Sequence, residues 1–480
     1  MNIKNNLDLE NLIKNKVLIC PKCHNNSFDI HSFLIACSQC KTEYSINKEG
    51  IVRFIDNNCQ QPFFFSTVNL NTFSEQHNTP FFIFSEKIIN DNIDILFNAA
   101  KESNLKIKIY YSVKTNFNRF ILNIVKNNIN HASVSSGLEL SAALTSGFEG
   151  KDLSFDGPVY EEKDILSAIN AGVELFNIDS YEQAVLLNRL AQENNRFLKI
   201  SPRLNFFSGN IFYKINYLFT DRFGFSNEEI KRLLKDISSF KNLKLSGFAF
   251  HLGSQLNNVS AYLSAIKKII CLIKKHHLKN IKHINIGGGF PAKGIRKNSF
   301  MSILFRFFGM NLKRKEINDN FISELNREIS SLFKKNNIDL EIIYQPGRYI
   351  VGDAGILVSR IFSVKEKWIF VDASVNYLPE NFLGLNRRII NISKLHGKKS
   401  FKYSIAGRTL CSDIFNINVK MPRPDRGDFI VLESAGAYSL SRANNFTTVI
   451  PDIYLIKENS SDIELTKKEE NVSDIYEGKF

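Results

Sequence analysis

Apolar and polar positions between residues 106 and 348 follow two alternating rhythms. Short apolar, often β-branched runs end in polar or glycine-rich turns, and between them apolar residues recur three or four positions apart. The runs are KIKIYYSV (106–113), HASVSS (131–136), DLSFDG (152–157), ELFNIDS (174–180), FLKISPRLN (197–205), LSGFAFHLGS (245–254), HINIGGGFP (283–291) and LEIIYQPGR (340–348). They predict strands, and intervening stretches such as EKDILSAINAG and YEQAVLLNRLAQEN predict amphipathic helices. Eight such units over about 250 residues count out an α/β chain built as a (β/α)8 TIM barrel. An open doubly wound sheet is the alternative, although it usually has fewer strands.

The flanks depart from this rhythm. TPFFIFS (79–85) is strand-like but has no place among the eight, and it predicts pairing with a later domain. From residue 355 the pattern becomes short strands and turns (GILVSRIFSV, KWIFVDAS, DFIVLES, TVIPDIYLI), which predicts a C-terminal β-sandwich or β-barrel domain over 355–480. The barrel domain is placed at 79–354. Residues 57–78 read as a linker, although the apolar PFFFST suggests that part of it docks on a neighbour. Two stretches interrupt the barrel: 207–224 is aromatic and loop-like, and 293–315 mixes basic with apolar residues as a lid or dimer contact would. The charged tail from about Glu458 reads as frayed.

Composition narrows the class. A 480-residue chain, 44% hydrophobic with 41 phenylalanines, is globular and too long for one ordinary core. No apolar run approaches the ~20 residues that span a membrane, and the first residues lack a signal-peptide core, so a cytoplasmic location is expected. The net charge of +14 accompanies abundant Lys, Asn and Ile and no arginine-rich arm. It suits an anionic small molecule, and no nucleic-acid partner is expected.

Cysteines add one local prediction. Cys20, Cys23, Cys37 and Cys40 form CPKC and CSQC, two Cys-x-x-Cys knuckles whose separation suits tetrahedral thiolate zinc. Residues 1–56 therefore read as a zinc ribbon closed by IVRFI (51–55), which a structural metal would hold together. Disulfides are the alternative, against which an odd total of seven cysteines counts.

The candidate chemistry falls at the C-terminal ends of the barrel strands, where such barrels carry their active sites. Lys114 follows the first strand in IYYSVKTN, at a place where an ammonium must be paired or covalently used. Gly287, Gly288 and Gly289 follow the seventh strand and Gly347 and Arg348 the eighth, where bare backbone and a guanidinium can hold phosphate. His251 ends the sixth strand, and Ser254 adds a hydroxyl. A lysine, a phosphate cradle and a flat imidazole together point to pyridoxal 5'-phosphate (PLP).

On these motifs the chain resembles the fold-type III PLP-dependent decarboxylases, the group of diaminopimelate, ornithine and arginine decarboxylases, from about residue 79 to 456. The resemblance implies Lys114 in YYSVKTN as the Schiff-base lysine and His251 in HLGSQ stacked on the pyridine face. It implies a phosphate site at Ser254, Gly288, Gly289, Gly347, Arg348 and Tyr438 (in SAGAYS), with Gln345 at the pyridine nitrogen. Asp372 in FVDAS and Ser412 would face the substrate. Cys411 in GRTLCSD would come from the partner subunit of a homodimer and protonate the carbon that has lost carbon dioxide. A buried core role is the alternative for that cysteine.

The sequence also departs from the family. Gln345 stands where the family has a glutamate, Ser412 replaces an acidic residue, Ser133 replaces an aspartate, and the substrate arginine of diaminopimelate decarboxylases is absent from NYLPENF. These departures predict a substrate with an acylated distal amine, such as N-citrylornithine in carboxylate-siderophore biosynthesis. Free diaminopimelate or ornithine is the first alternative, a PLP-binding regulatory protein without decarboxylation the second, and a racemase of the same barrel type a more distant third.

Overall fold

The computed structural model describes residues 70–206, 222–297, 320–380, 385–395, 397, 401–458 and 463–477, with the backbone of four N-terminal strands and Ser38. Those strands, β1 (Phe28–His31), β2 (Leu34–Cys37), β3 (Glu43–Ile46) and β4 (Val52–Arg53), form an antiparallel meander. The backbone of Cys37 ends β2, whereas Cys20, Cys23 and Cys40 lie outside the described residues. Among the described residues no group of three or more His, Cys, Asp or Glu is arranged to hold a metal ion.

β5 (Phe81–Ser85) precedes the barrel, whose first strands are β6 (Ile107–Ser112), β7 (His131–Val134), β8 (Leu153–Asp156), β9 (Leu175–Ile178) and β10 (Leu198–Pro202). Then come β11 (Leu243–Leu245), β12 (Gly247–Ala249) and β13 (His283–Asn285). β14 (Ile295–Lys297) leaves the barrel, and β15 (Glu341–Tyr344) completes it. All neighbours are parallel, in the order β11-β10-β9-β8-β7-β6-β15-β13-β12. The two ends of that path are consecutive pieces of one chain stretch, interrupted at Ser246. There the Ser246 N–H reaches the Ile200 carbonyl at 3.0 Å and its carbonyl accepts from Lys282 at 2.7 Å. Nine strand segments thus make an eight-stranded, nearly closed barrel, and the open doubly wound sheet is excluded.

Helices after the strands start where short polar side chains cap them. Ser85, Ser136, Ser180, Ser226 and Asn258 each accept a backbone N–H from the first turn. At Ser226 the cap is reciprocal, with Glu229 bonding back. The apolar faces of these helices cover the barrel: Ile89, Ile93 and Leu96 of the helix Glu86–Glu102 are essentially inaccessible, as are Ile266 and Ile269 of Val259–Lys275. Each such side chain contributes roughly 1.5–3 kcal/mol by leaving water.

The C-terminal domain is mostly sheet. Its strands are β16 (Gly355–Lys365), β17 (Trp368–Val371), β18 (Leu385–Arg387), β19 (Ile389–Asn391), β20 (Phe401–Ala406), β21 (Ile414–Met421), β22 (Phe429–Leu432), β23 (Asp452–Ile456) and β24 (Ile463–Lys467). β5 lies between β16 and β23, antiparallel to the first and parallel to the second. Every β5 residue is buried, so both faces are covered and the run FFIFS shows no alternation.

Two segments differ from the sequence reading. Within the 57–78 linker, Leu70–Gln76 is a helix whose Phe73 meets Phe81 and Tyr454 edge-on, at 5.5 and 5.2 Å between ring centroids. The tail expected to fray instead adds β24 antiparallel to β23 and ends in a helix, Val472–Glu477. Its exposed charges suit an edge strand, whose outer face needs no apolar partner. In the 293–315 insertion, β14 pairs antiparallel with β18 of the β-domain, and residues 298–319 lie outside the description, as does 207–221 of the other interruption. Among the described residues no helix is long and apolar enough to cross a membrane.

Candidate active site

Where β6 ends, the chain tightens into a short turn, Val113–Thr115, that presents Lys114 to the open mouth of the barrel while Val113 and Thr115 are buried. The β-domain clamps this turn. Tyr438 N–H donates to the Thr115 carbonyl at 2.8 Å, Ser441 Oγ donates to the same oxygen at 3.0 Å, and Asn116 Nδ2 donates to the Gly436 carbonyl at 3.0 Å. Glu139, near the start of the next helix, accepts the Ser135 N–H at 3.0 Å and faces Lys114. Burial pushes its pKa up to about 7, against the lowering influence of Lys114.

The loops after β12, β13 and β15 are locked together on the far side. Leu256 N–H donates to the Gly289 carbonyl at 2.9 Å, and the Gln255 side chain holds Ala292 and Ile295. Gly289 has φ +81°, and a Cβ there would lie 1.8 Å from the Gly253 carbonyl oxygen, so this turn brings the Ser254 loop against bare backbone. A Cβ on Gly347 would meet Thr115 Oγ1 at 1.9 Å, which ties the eighth-strand turn to the lysine turn. The His251 ring is exposed to the mouth but enclosed by protein on its other sides. That enclosure, with Arg203 and Lys114 nearby, holds its pKa well below the usual imidazole range and keeps it neutral.

Arginines gather where the barrel meets the β-domain. Arg348 is buried, stacks 4.7 Å from the Tyr438 ring centroid and pairs through Nη2 with Glu380. Glu380 also holds Arg442 at 2.9 Å. The Nε and Nη1 of Arg348 have no partner among the described residues, nor do any of the three guanidinium nitrogens of Arg387. Arg387 is only 2% exposed; burial and the neighbouring Arg348 push its pKa down to about 9, with Glu380 opposing. Buried guanidinium nitrogens left unpaired are costly unless an anion meets them. The residues present therefore fit the phosphate of PLP.

The strand ends also hold side chains that the sequence reading passed over. Asp156, last in β8, accepts Ser133 Oγ at 2.6 Å, Asn177 Nδ2 at 2.5 Å and Gln345 Nε2 at 2.6 Å. Two of these donors, Ser133 and Gln345, are the positions noted above as departures from the acidic residues of the resembled family. Asp179 and Arg203, after β9 and β10, form a 3.5 Å ion pair. Burial raises the Asp179 pKa, and Arg203 opposes this. Asp156 ends its strand, and Asp179 and Arg203 directly follow theirs, so the rule that found Lys114 just past β6 also applied to all three.

The remaining predicted residues group elsewhere, in the β-domain. Asp372 is held by Thr79 Oγ1 at 2.6 Å, Ser359 Oγ at 2.6 Å and the Arg360 N–H at 2.9 Å. Cys411 and Ser412 sit on an exposed loop beside it, pinned by Arg408 N–H to the Ala373 carbonyl and by Val375 N–H to Asp413. Cys411 is a free, exposed thiol and Leu410 next to it is fully exposed. One chain thus brings together Lys114, His251, Ser254, Gly288, Gly289, Gln345, Gly347, Arg348 and Tyr438, and presents Asp372, Cys411 and Ser412 as a second group.

Comparison with known proteins agrees with this geometry. Residues 90–352 match the family described as pyridoxal-dependent decarboxylase, pyridoxal binding domain. Diaminopimelate decarboxylase of Aquifex aeolicus is 25% identical over 86% of this chain and 94% of its own length. The crystal structure of diaminopimelate decarboxylase from Methanocaldococcus jannaschii in complex with L-lysine superposes with a TM-score of 0.73 at 22% identity, covering 95% of this chain and 98% of that one. Lysine/ornithine decarboxylase of Vibrio vulnificus shares the fold with a TM-score of 0.63 at 17% identity, over 81% of this chain and 97% of its own. With more than half of the chain matched and the lysine turn, glycine loops and buried arginine in place, the protein belongs to the pyridoxal-dependent decarboxylases and is a PLP-dependent amino-acid carboxy-lyase.

Proposed function

We propose that the decarboxylated substrate is an amino-acid conjugate rich in carboxylates, such as N-citrylornithine in carboxylate-siderophore biosynthesis. The observation that carries this reading lies in the second group: exposed Ser412 offers no carboxylate to receive a distal ammonium, Asp372 is already held by Thr79, Ser359 and Arg360, and the chain carries a net charge of +14. A polyanion would offset that charge, whereas the distal ammonium of free ornithine would add to it.

In this reading Lys114 holds the cofactor covalently, and Arg348, Ser254, Gly288, Gly289, Gly347 and Tyr438 hold its phosphate. Neutral His251 and Gln345 would be the side chains that contact its ring. When bound, PLP supplies the electron sink for the pair left by departing carbon dioxide. The protein would hold the α-carboxylate for departure and return one proton. Cys411 Sγ gives that proton from the partner subunit of a homodimer, beside Asp372 and Ser412, and the exposure of Cys411 and Leu410 supports such a shared site. A structural zinc held by Cys20, Cys23, Cys37 and Cys40 rests on the knuckle spacing, and one zinc per chain in purified protein tests it.

The deciding assay follows carbon dioxide from N-citrylornithine, ornithine, lysine and diaminopimelate. Preference for the conjugate is expected, and faster turnover of free diaminopimelate overturns it. That second reading is favoured by the 25% identity to the Aquifex aeolicus enzyme over nearly its whole length.

A further inference from the structure

Asp156 sits at the end of a barrel strand with no direct part in the reading above. Three neutral donors converge on its two oxygens: a hydroxyl from β7, an amide from β9 and the Gln345 amide from the turn after β15. Two amide N–H groups and a hydroxyl aimed at one carboxyl satisfy an ionised carboxylate, which only accepts. Ion pairs engage Asp179, Glu380 and Asp428 elsewhere in the protein, but among the described residues none engages Asp156. Its charge is held by dipoles and left for something arriving in the mouth to offset.

The same contact orients Gln345. With Nε2 committed to Asp156, the Oε1 at the other end of the planar amide is the end left to face the mouth. A carbonyl oxygen can only accept, so a ring nitrogen meeting it must carry its proton. A free amide could turn over and offer N–H to an unprotonated nitrogen; Asp156 removes that choice.

We infer that Asp156 is a positioning residue that, through Gln345, supplies the negative charge and the amide orientation keeping the cofactor's pyridine nitrogen protonated. The charge stands one hydrogen bond behind the residue that touches the ring. This inference rests on the assignment of the mouth as the PLP site with Gln345 at the ring nitrogen. It also accounts for Ser133, which fixes Asp156 and need not be acidic itself.

The test reconstitutes the full-length protein with PLP labelled with 15N in the ring and reads the nitrogen chemical shift, which separates pyridinium from pyridine. The wild type is expected to give the pyridinium signal. Asp156→Asn keeps an acceptor for Gln345 but removes the charge. It should move the signal to the unprotonated range and weaken PLP binding at least about tenfold by equilibrium dialysis. Adding Gln345→Glu to that variant should restore the pyridinium signal, which a purely structural role for Asp156 would not allow. If Asp156→Asn does not fold, Gln345→Leu leaves Asp156 in place, cuts the relay and should give the same unprotonated signal. A pyridinium signal that persists in Asp156→Asn or in Gln345→Leu overturns the inference, as does an unprotonated wild type. Borohydride fixation of the cofactor on a lysine other than Lys114 instead removes the underlying site reading, and this inference with it.

Discussion

The guanidinium of Arg348 lies 4.7 Å from the centre of the Tyr438 ring, so a barrel residue and a β-domain residue share one stacked contact. The backbone of Tyr438 in turn holds the turn carrying Lys114. In the proposed site, anchoring the phosphate and positioning the lysine would therefore depend on the same interdomain seam.

Arg348→Ala should weaken PLP binding by roughly ten- to a hundredfold, since hydrogen bonds to a charged group contribute about 1.5–3 kcal/mol each. Arg348→Lys should recover only part, because an ammonium cannot both stack on Tyr438 and present a planar fork. Equilibrium dialysis checks this, and unchanged affinity in Arg348→Ala would remove it from the phosphate site.

Gly289→Ala places a methyl 1.8 Å from the Gly253 oxygen in a backbone conformation, φ +81°, that side chains rarely adopt. The loops carrying His251 and Ser254 must then separate. Loss of PLP binding with the far-ultraviolet circular dichroism retained is expected. Wild-type affinity would mean that the two loops need not touch.

Glu139 makes stability depend on pH. Its folded pKa of about 7 lies above the 4.5 of an unperturbed glutamate, so between those values the folded chain binds more protons than the unfolded one. Stability from this group is therefore lost as pH rises from about 4.5 to 7, by an amount on the order of 3 kcal/mol. Urea unfolding of the PLP-free protein at pH 5 and pH 8 should show Glu139→Gln gaining on the wild type at the higher pH. Parallel curves would contradict the burial of a charge there.

Cys411 and Lys114 test the shared site. Each of Lys114→Ala and Cys411→Ala should abolish decarboxylation, the second with PLP still bound. Mixing the two should restore about a quarter of the wild-type rate, since half of randomly paired dimers carry one intact site. No recovery on mixing, in subunits shown to exchange, would place Cys411 and Lys114 of one chain in the same site.

Much of this protein could be read in its amino acids. Eight apolar runs with periodic helices between them specified a barrel, because period and length are local properties of the chain. The same local reading found Lys114 and the glycine turns after β13 and β15, since only unusual residue types end strands that way. It also set β5 apart, because FFIFS came one strand too early.

Other features depended on distant residues meeting. Charged composition suggested a loose tail, yet β24 completes an edge beside β23. Arg387 gave no sign in the sequence of lying buried beside Arg348, because burial is set by β14 and the domains that close over it. Gln345 read alone was a lost charge. Only the closed barrel, which sets Gln345 beside a carboxylate 189 positions away in the chain, shows where a charge remains. Strand periodicity decides which residues reach the mouth; the curvature of the sheet decides which of them touch.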